Sequence, residues 1–353
     1  MKKFLIITVG LLAAVTAAAL AVFYRWMQTP NGRLHPVMAL AHQWMLRSRA
    51  PFTLENLPES RQEMKNIRPR LPIYDVQNLT IAGPGGEIPL RIYKGQENGR
   101  LPVIVFFHGG GFVLGSIQSH ENVVRQMAVE TGALVISVDY RLAPEHPFPA
   151  GLDDCYAAVQ WAAAHAAGYG GDPAQIAVAG DSAGGNLAAA VCLRARAESG
   201  PAIGMQALLY PSTIMRDDDS ESRHQFMGYV LYEEDLLHFH DWYMGETGQE
   251  ENPYASPLLA KDLSQLPPAY VLTAGMDPLR DQGKAYADRL RAAGVPVVYR
   301  NYEGMLHGFL NMVDFPLPGG RQMLNTPQLV YQEMAAFMAE TLPHQGSVTK
   351  IKD

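Results

Sequence analysis

The run Gly-Asp-Ser-Ala-Gly at residues 180–184 constrains this chain more than any other feature. It matches G-x-S-x-G, a pattern in which a sharp turn between a strand and a helix lifts a serine hydroxyl above a sheet. Small residues flank the serine because the turn is strained and its backbone passes close to neighbouring elements. The surroundings fit, since residues 176–180 predict a short buried strand and residues 186–193 predict a helix. Ser182 is therefore the candidate nucleophile.

A second motif, His108-Gly-Gly-Gly-Phe112, follows another apolar strand at residues 103–107. G-x-S-x-G alone is weak evidence because its residues are common. Two such motifs, each following a predicted buried strand, are not expected to occur together by chance. A glycine-rich loop can aim backbone N–H groups at a developing oxyanion, and each such donor is worth roughly 10²–10³ in rate. We expect His108 to be structural and to brace this loop.

Candidates for the remaining catalytic groups follow two later strands. Asp277 comes after the predicted strand at residues 269–274, and His307 comes after the one at residues 296–302. Both positions lie just beyond the C-terminal edge of a strand, where open α/β sheets gather their ligands. The chain order serine, acid, histidine also fits the motif. His307 would take the proton from Ser182, and Asp277 would fix the imidazole tautomer and stabilise the imidazolium.

Each of these assignments has an alternative. Asp277 precedes Pro278 and a helical run, so it is a candidate helix N-cap, alone or in addition to a catalytic role. Asp281 is the competing acid, but one helical turn further on it would point along the helix. Glu303 is too close in sequence to His307 to reach its far nitrogen easily. A histidine chosen at random is more often structural, but His307 follows the last predicted strand in a loop of small residues.

These motifs together resemble those of the bacterial hormone-sensitive-lipase family of carboxylesterases, within the α/β-hydrolase superfamily. The resemblance runs from about residue 70 to residue 310. The matching stretches are His108–Phe112, Tyr140–Ala150, Gly180–Asn186, Ser256–Leu258, Asp277–Asp281 and His307–Phe309. The N-terminus departs from the pattern, since many relatives start directly with the cap helices.

The resemblance implies an α/β-hydrolase fold, with a mostly parallel eight-stranded sheet, helices on both faces and a helical cap. It implies hydrolysis of short- to medium-chain acyl esters without a cofactor. With Ser182 as the nucleophile, we expect the reaction to pass through an acyl-enzyme. The sequence contains no zinc-ligand pattern, so no metal is expected. The Tyr140–Ala150 run would be a rigid structural loop. Carried over by position, the catalytic residues would be Ser182, Asp277 and His307, and the oxyanion donors would be the backbones of Gly110, Gly111 and Ala183.

Strand–helix alternation from the hairpin near residues 76–93 to about residue 210 independently predicts a mostly parallel sheet with right-handed crossovers. The alternation breaks between residues 212 and 256, a stretch rich in aromatic side chains. We expect one hydrolase domain over residues 31–345, with the cap contributed by residues of about 31–70 and 212–256. The apolar stripe at residues 37–48 could equally be simple packing on the core.

Composition excludes some classes of partner. The net charge is −7 and the basic residues are scattered, so nothing suggests a nucleic-acid partner. Cys155 and Cys192 fall in helical runs, and their spacing leaves open whether they pair. His238 and His240 are two residues apart, which on a helix points them to different faces, so no metal site is expected there. The oligomeric state is left open.

The N-terminal segment, residues 1–26, indicates where in the cell the protein should lie. Residues 4–24 carry no charge and follow two lysines. As a helix, such a run covers about 30 Å, enough to cross a bilayer. A cleaved signal peptide is the alternative, with small residues at 17–21 as cleavage sites. Because Phe23, Tyr24 and Trp26 suggest an interfacial belt, we expect an uncleaved membrane anchor. The basic N-terminus should stay cytoplasmic, which places the catalytic domain on the non-cytoplasmic side. If the segment is cleaved, the domain would be periplasmic or extracellular.

Two other functions share these sequence features. One is an amidase or deacetylase that uses the same three residues on a different acyl substrate. The other is a non-catalytic ligand binder, because a fold alone does not establish function. Turnover that depends on Ser182 separates the binder from both hydrolases.

Overall fold

The computed structural model describes residues 2–48, 51–97, 99–216, 219–314 and 325–342. Two short strands, β1 (Gln28–Thr29) and β2 (Gly32–Arg33), pair with each other. The central sheet contains β3 (Asp75–Gly83), β4 (Gly86–Lys94), β5 (Leu101–Phe107), β6 (Leu134–Val138), β7 (Gly171–Asp181), β8 (Met205–Leu209), β9 (Ala269–Met276) and β10 (Val297–Leu306). Its strand order is β10-β9-β8-β7-β5-β6-β4-β3.

The pairing within this sheet is mostly parallel. β4 runs antiparallel to both β3 and β6, whereas the pairs from β6 through β5, β7, β8 and β9 to β10 are parallel. The carboxyl ends of the parallel strands therefore meet at one edge, where the loops after β5, β7, β9 and β10 come together. The predicted mostly parallel eight-stranded sheet is confirmed.

Helices cover both faces of the sheet. The helices in the described part of the chain are α1 (Lys2–Met27), α2 (Pro36–Ser48), α3 (Leu57–Met64), α4 (Glu121–Thr131), α5 (Ala150–His165), α6 (Ala183–Ala197), α7 (Glu221–Phe226), α8 (Glu233–Met244), α9 (Arg280–Ala292) and α10 (Thr326–Thr341). Alternate residues of β5 enter different cores: Val103 and Val105 pack with α5 and α6, and Ile104 packs with α4 and α10. Because both faces are covered, the inner strands are mostly apolar on both sides and do not alternate between polar and apolar residues. Cys155 and Cys192 are free and buried.

The N-terminal segment differs from the expectation. No helix within the described residues has the length and apolarity needed to cross a membrane. Of the three aromatic residues that suggested an interfacial belt, Phe23 and Trp26 are partly buried against the hydrophobic core, whereas Tyr24 is 56% exposed. Met27 is 6% exposed in that core. The predicted membrane anchor, and with it the predicted placement of the catalytic domain on the non-cytoplasmic side, was therefore wrong.

The two segments expected to form a cap carry four of the helices. Between residues 31 and 70, α2 lies against the core beside β10, with Val37 and Met38 fully buried, and Trp44 is 52% exposed. Between residues 212 and 256, α8 reaches the glycine loop through Phe239. The described residues stop at 342, so the expected domain end at residue 345 lies outside them.

Candidate active site

Ser182 lies on the tight turn between β7 and α6. Its φ of 55° and ψ of −118° are rare for a residue with a side chain. The turn requires glycine on both sides, because a Cβ at Gly180 would lie 2.2 Å from the carbonyl oxygen of Gly184. A Cβ at Gly184 would lie 2.0 Å from the carbonyl oxygen of Phe107. The G-x-S-x-G glycines thus allow the backbone approach that holds Ser182 at the edge of the sheet.

His307 and Asp277 lie in line with this serine. The Ser182 Oγ is 2.9 Å from the His307 Nε2, and the His307 Nδ1 is 2.7 Å from the Asp277 Oδ2. Asp277 is fully buried and His307 is 5% exposed. A buried carboxylate at this distance favours a proton on Nδ1, which leaves the Nε2 lone pair facing the serine hydroxyl. The structure therefore brings together the three residues that the sequence singled out.

Asp277 has both of the contacts that the sequence suggested. Its Oδ1 accepts a hydrogen bond of 2.8 Å from the N–H of Leu279, at the start of α9, while Oδ2 faces His307. Asp281 contacts other groups, since its carboxylate accepts hydrogen bonds from the N–H of Ser222 and from Arg280. Glu303 is exposed. Asp277 is the carboxylate at the histidine.

The glycine loop after β5 lies beside the serine turn. Gly110 and Gly111 have φ angles of 121° and 61°, which favour glycine. Neither N–H donates a hydrogen bond within the part of the chain that the structure describes. Ala183 is the first residue of α6, and the first N–H groups of a helix have no acceptor within it. All three backbone N–H groups therefore lack a hydrogen-bond acceptor within the described residues.

His108 braces the glycine loop, as its sequence position suggests. Its ring stacks on Tyr140 with the centroids 4.3 Å apart, and its Nδ1 lies 2.8 Å from the carbonyl oxygen of Gly109. Burial, helped by the nearby His120, lowers the pKa of His108 to about 3. The imidazole is therefore neutral in the folded protein near pH 7, which suits packing and not proton transfer.

The Tyr140–Ala150 run supports the same loop from the other side. The Tyr140 hydroxyl donates a 2.7 Å hydrogen bond to the carbonyl oxygen of His108, and the N–H of Ala143 donates to that of Phe112. The Phe148 N–H donates to the Tyr243 carbonyl oxygen in α8. This stretch joins the glycine loop to the second of the expected cap segments.

Comparison with known proteins gives this site its family. A family model for the alpha/beta hydrolase fold matches residues 104–311. The carboxylic ester hydrolase LipN of Mycobacterium tuberculosis is 43% identical over 279 residues, which cover 75% of this chain and 73% of LipN. Esterase LipI of the same organism is 42% identical over 270 residues, 74% of this chain and 84% of LipI. A hyperthermophilic esterase from the archaeon Pyrobaculum calidifontis superposes with a TM-score of 0.77 at 39% identity, covering 87% of this chain and 98% of its own.

The chain belongs to the hormone-sensitive-lipase family of carboxylesterases. It is a carboxylic ester hydrolase with an α/β-hydrolase fold. Because these relatives are named for ester hydrolysis, neither the amidase nor the ligand binder is favoured.

Two contacts at the candidate active site of this esterase were not predicted from the sequence. Arg61 of α3 donates to the carbonyl oxygens of Val113 and Ala143 and pairs with Glu145. Tyr210, just after β8, packs edge-on against His307 with the ring centroids 5.1 Å apart. Neither Arg61 nor Tyr210 lies in a recognisable sequence motif. Glu145, the partner of Arg61, does lie within the Tyr140–Ala150 run that the sequence singled out.

Proposed function

We propose that Ser182 is the nucleophile, His307 the general base and Asp277 the orienting acid in the hydrolysis of short- to medium-chain acyl esters. The observation that carries this proposal is the continuous line of contacts, 2.9 Å from Ser182 Oγ to His307 Nε2 and 2.7 Å from His307 Nδ1 to Asp277 Oδ2. Such a line lets one proton move from the hydroxyl to the imidazole while the carboxylate balances the new positive charge.

The reaction runs in two halves. Ser182 Oγ forms a bond to the ester carbonyl carbon as its proton passes to His307 Nε2. The N–H groups of Gly110, Gly111 and Ala183 bind the resulting oxyanion. Collapse breaks the bond to the alcohol oxygen, which leaves with the proton from His307. Water then attacks the acyl carbon as its proton passes to His307 Nε2. The bond from the acyl carbon to Ser182 Oγ breaks, Oγ takes the proton back from His307 and the acid leaves, so water is the only co-reactant.

We further propose that helices of residues 31–70 and 212–256 act as a cap over the acyl chain. Phe239 of α8 supports this, because its ring lies against the Cα of Gly111, one of the proposed oxyanion donors. Phe239 also contacts Phe52, which belongs to the other segment, with ring centroids 5.5 Å apart. Aromatic side chains from both segments therefore meet beside Gly111, and in this proposal they would limit the length of the acyl chain.

The test is hydrolysis of p-nitrophenyl esters from acetate to palmitate by the wild type and by Ser182→Ala. We expect the highest kcat/KM at short or medium chains and a loss in kcat on the order of 10⁶ in the variant. A variant that keeps a tenth of the activity would refute the role of Ser182. Activity confined to the longest chains would refute the proposed substrate class and leave the three catalytic roles intact.

A further inference from the structure

A second buried polar cluster lies behind the proposed catalytic residues, centred on Asp181. This carboxylate is 2% exposed and precedes Ser182 at the end of β7. Its Oδ1 accepts a hydrogen bond of 2.8 Å from the N–H of Gly109. The side-chain amide of Asn311 donates to its Oδ2 at 3.2 Å. The His120 Nε2 lies 3.2 Å from Oδ1 and 3.3 Å from Oδ2.

His120 extends the cluster to the far end of the glycine loop. Its Nδ1 lies 2.8 Å from the Ser119 Oγ. Ser119 and Ser116 close a tight turn, because the N–H of each donates to the hydroxyl oxygen of the other, at 2.8 and 3.1 Å. The loop that begins at Gly109 and ends at His120 is therefore attached to Asp181 at both ends. Gly110 and Gly111 lie between these two attachments.

Asn311 attaches a third segment. It lies four residues after His307 at the start of a 3₁₀ turn, Asn311–Asp314. One carboxylate thus contacts the segments that carry the nucleophile, the glycine loop and the base. A buried carboxylate is costly unless it is paired, and here three donors surround it. Burial alone would raise the pKa of Asp181, but the facing His120 and the Gly109 N–H outweigh it and lower that pKa.

We propose that Asp181 is a positioning residue for ester hydrolysis: its carboxylate holds the Gly110 and Gly111 donors and the His307 segment in register with Ser182. The inference rests on the proposed roles of those residues. The donors must meet an oxyanion that exists only during the reaction, and a misplacement of 1 Å can cost about 10²-fold. Loss of register should therefore lower kcat more than it raises KM, because the ground-state ester is bound by other contacts.

The test compares Asp181→Asn with Asp172→Asn in the full-length protein. Asp172 is the matched control, since it is a buried carboxylate at the other end of the same strand and accepts the N–H of Ala174 and the side chain of Gln175. We expect Asp181→Asn to lower kcat for p-nitrophenyl butyrate about 10- to 100-fold with KM within threefold. Asp172→Asn should lower the Tm and leave kcat within twofold.

A fluorescent alkyl phosphonate, which labels a reactive serine, distinguishes a failure of this proposal from a failure of the proposed role of Ser182. In Asp181→Asn the fraction of protein labelled should stay near one while the labelling rate falls with kcat. Absence of labelling in the wild type would overturn the role of Ser182 instead. If Asp181→Asn does not fold, Asn311→Ala removes a single donor and should lower kcat about threefold to tenfold with KM unchanged. An unchanged kcat in the folded Asp181 or Asn311 variant, or an equal loss in Asp172→Asn, would overturn the proposal.

Discussion

The Nε atom of Arg61 in α3 donates a 2.8 Å hydrogen bond to the carbonyl oxygen of Val113, two residues beyond the glycine triplet. Its Nη2 donates to the carbonyl oxygen of Ala143, and both terminal nitrogens contact Glu145. One guanidinium thus joins α3 to the glycine loop and to the Tyr140–Ala150 run. Lysine has a single compact ammonium group and lacks the planar fork of donors with which Arg61 bonds two carbonyl oxygens and a carboxylate at once.

We expect Arg61→Lys to lower kcat/KM for p-nitrophenyl butyrate about tenfold, because the loop end at Val113 loses its contact with α3. Glu145→Gln is the matched control. The Glu145 side chain is 55% exposed, so its loss should change kcat/KM less than twofold. Equal effects of the two substitutions would show that the ion pair, and not the backbone contact, matters.

A substitution at Gly111 tests whether activity depends on the close contact between the glycine loop and Phe239. A Cβ at Gly111 would lie 2.4 Å from the Cδ2 of Phe239, so Gly111→Ala must displace the ring or the loop. We expect kcat to fall at least 100-fold as the N–H donors move. Gly294→Ala is the control, since Gly294 also has a positive φ, 83°, but a Cβ there meets nothing within 4 Å. It should cost about 1 kcal/mol in the free energy of unfolding and leave kcat unchanged.

The identity of the carboxylate that orients His307 is tested by replacing Asp277 and Asp281 in turn. Asp277→Asn should lower kcat about 10⁴-fold, because an amide at this position favours the wrong imidazole tautomer at His307. Asp281→Asn should leave kcat within a few-fold, since its contacts are with Ser222 and Arg280. Steady-state kinetics of the two variants decides the assignment. The opposite order of losses would transfer the role to Asp281.

Acid should weaken the fold through His240. Burial, with Arg223 and Arg216 nearby, lowers its pKa from the ordinary value of 6.5 to about 4. Between these values the unfolded chain binds a proton that the folded protein does not, so the free energy of unfolding falls as the pH falls. His240→Gln should reduce this loss by up to about 1.4 kcal/mol per pH unit.

Urea unfolding at pH 7, 6 and 5 measures this effect. His165→Gln is the control, because His165 is exposed and its ring stacks on Trp161 in the same helix. Its slope against pH should match that of the wild type. If His240→Gln also matches the wild type, the imidazole is not held neutral by burial.

Local patterns predicted the features that depend on local backbone geometry. Buried strands ending at Phe107 and Asp181 and the turns after them carry their own sequence signals, so the sheet and the neighbourhood of Ser182 could be predicted. The contact of Arg61 with Val113 and that of Asn311 with Asp181 join positions far apart in sequence. No periodicity or motif reports which distant side chain will fill a gap, so these contacts needed the structure.

The wrong prediction of an anchor has a related cause. Hydropathy of a segment measures its preference for an apolar environment but not which environment it meets. Phe23 and Trp26 have the character expected at a membrane surface, but in the structure both are partly buried against the hydrophobic core. An aromatic cluster at the end of an apolar helix therefore does not separate a membrane interface from a protein interface.

The central claim is that an acyl group passes through Ser182. The most direct measurement is mass spectrometry of the wild type quenched in acid during turnover of p-nitrophenyl butyrate, followed by peptide mapping. We expect a butyryl group on the peptide containing Ser182, present in the wild type and absent from Ser182→Ala. His307→Gln should accumulate little of this adduct, since the base is needed to form it. A butyryl group on another residue, with full activity in Ser182→Ala, would contradict the role of Ser182.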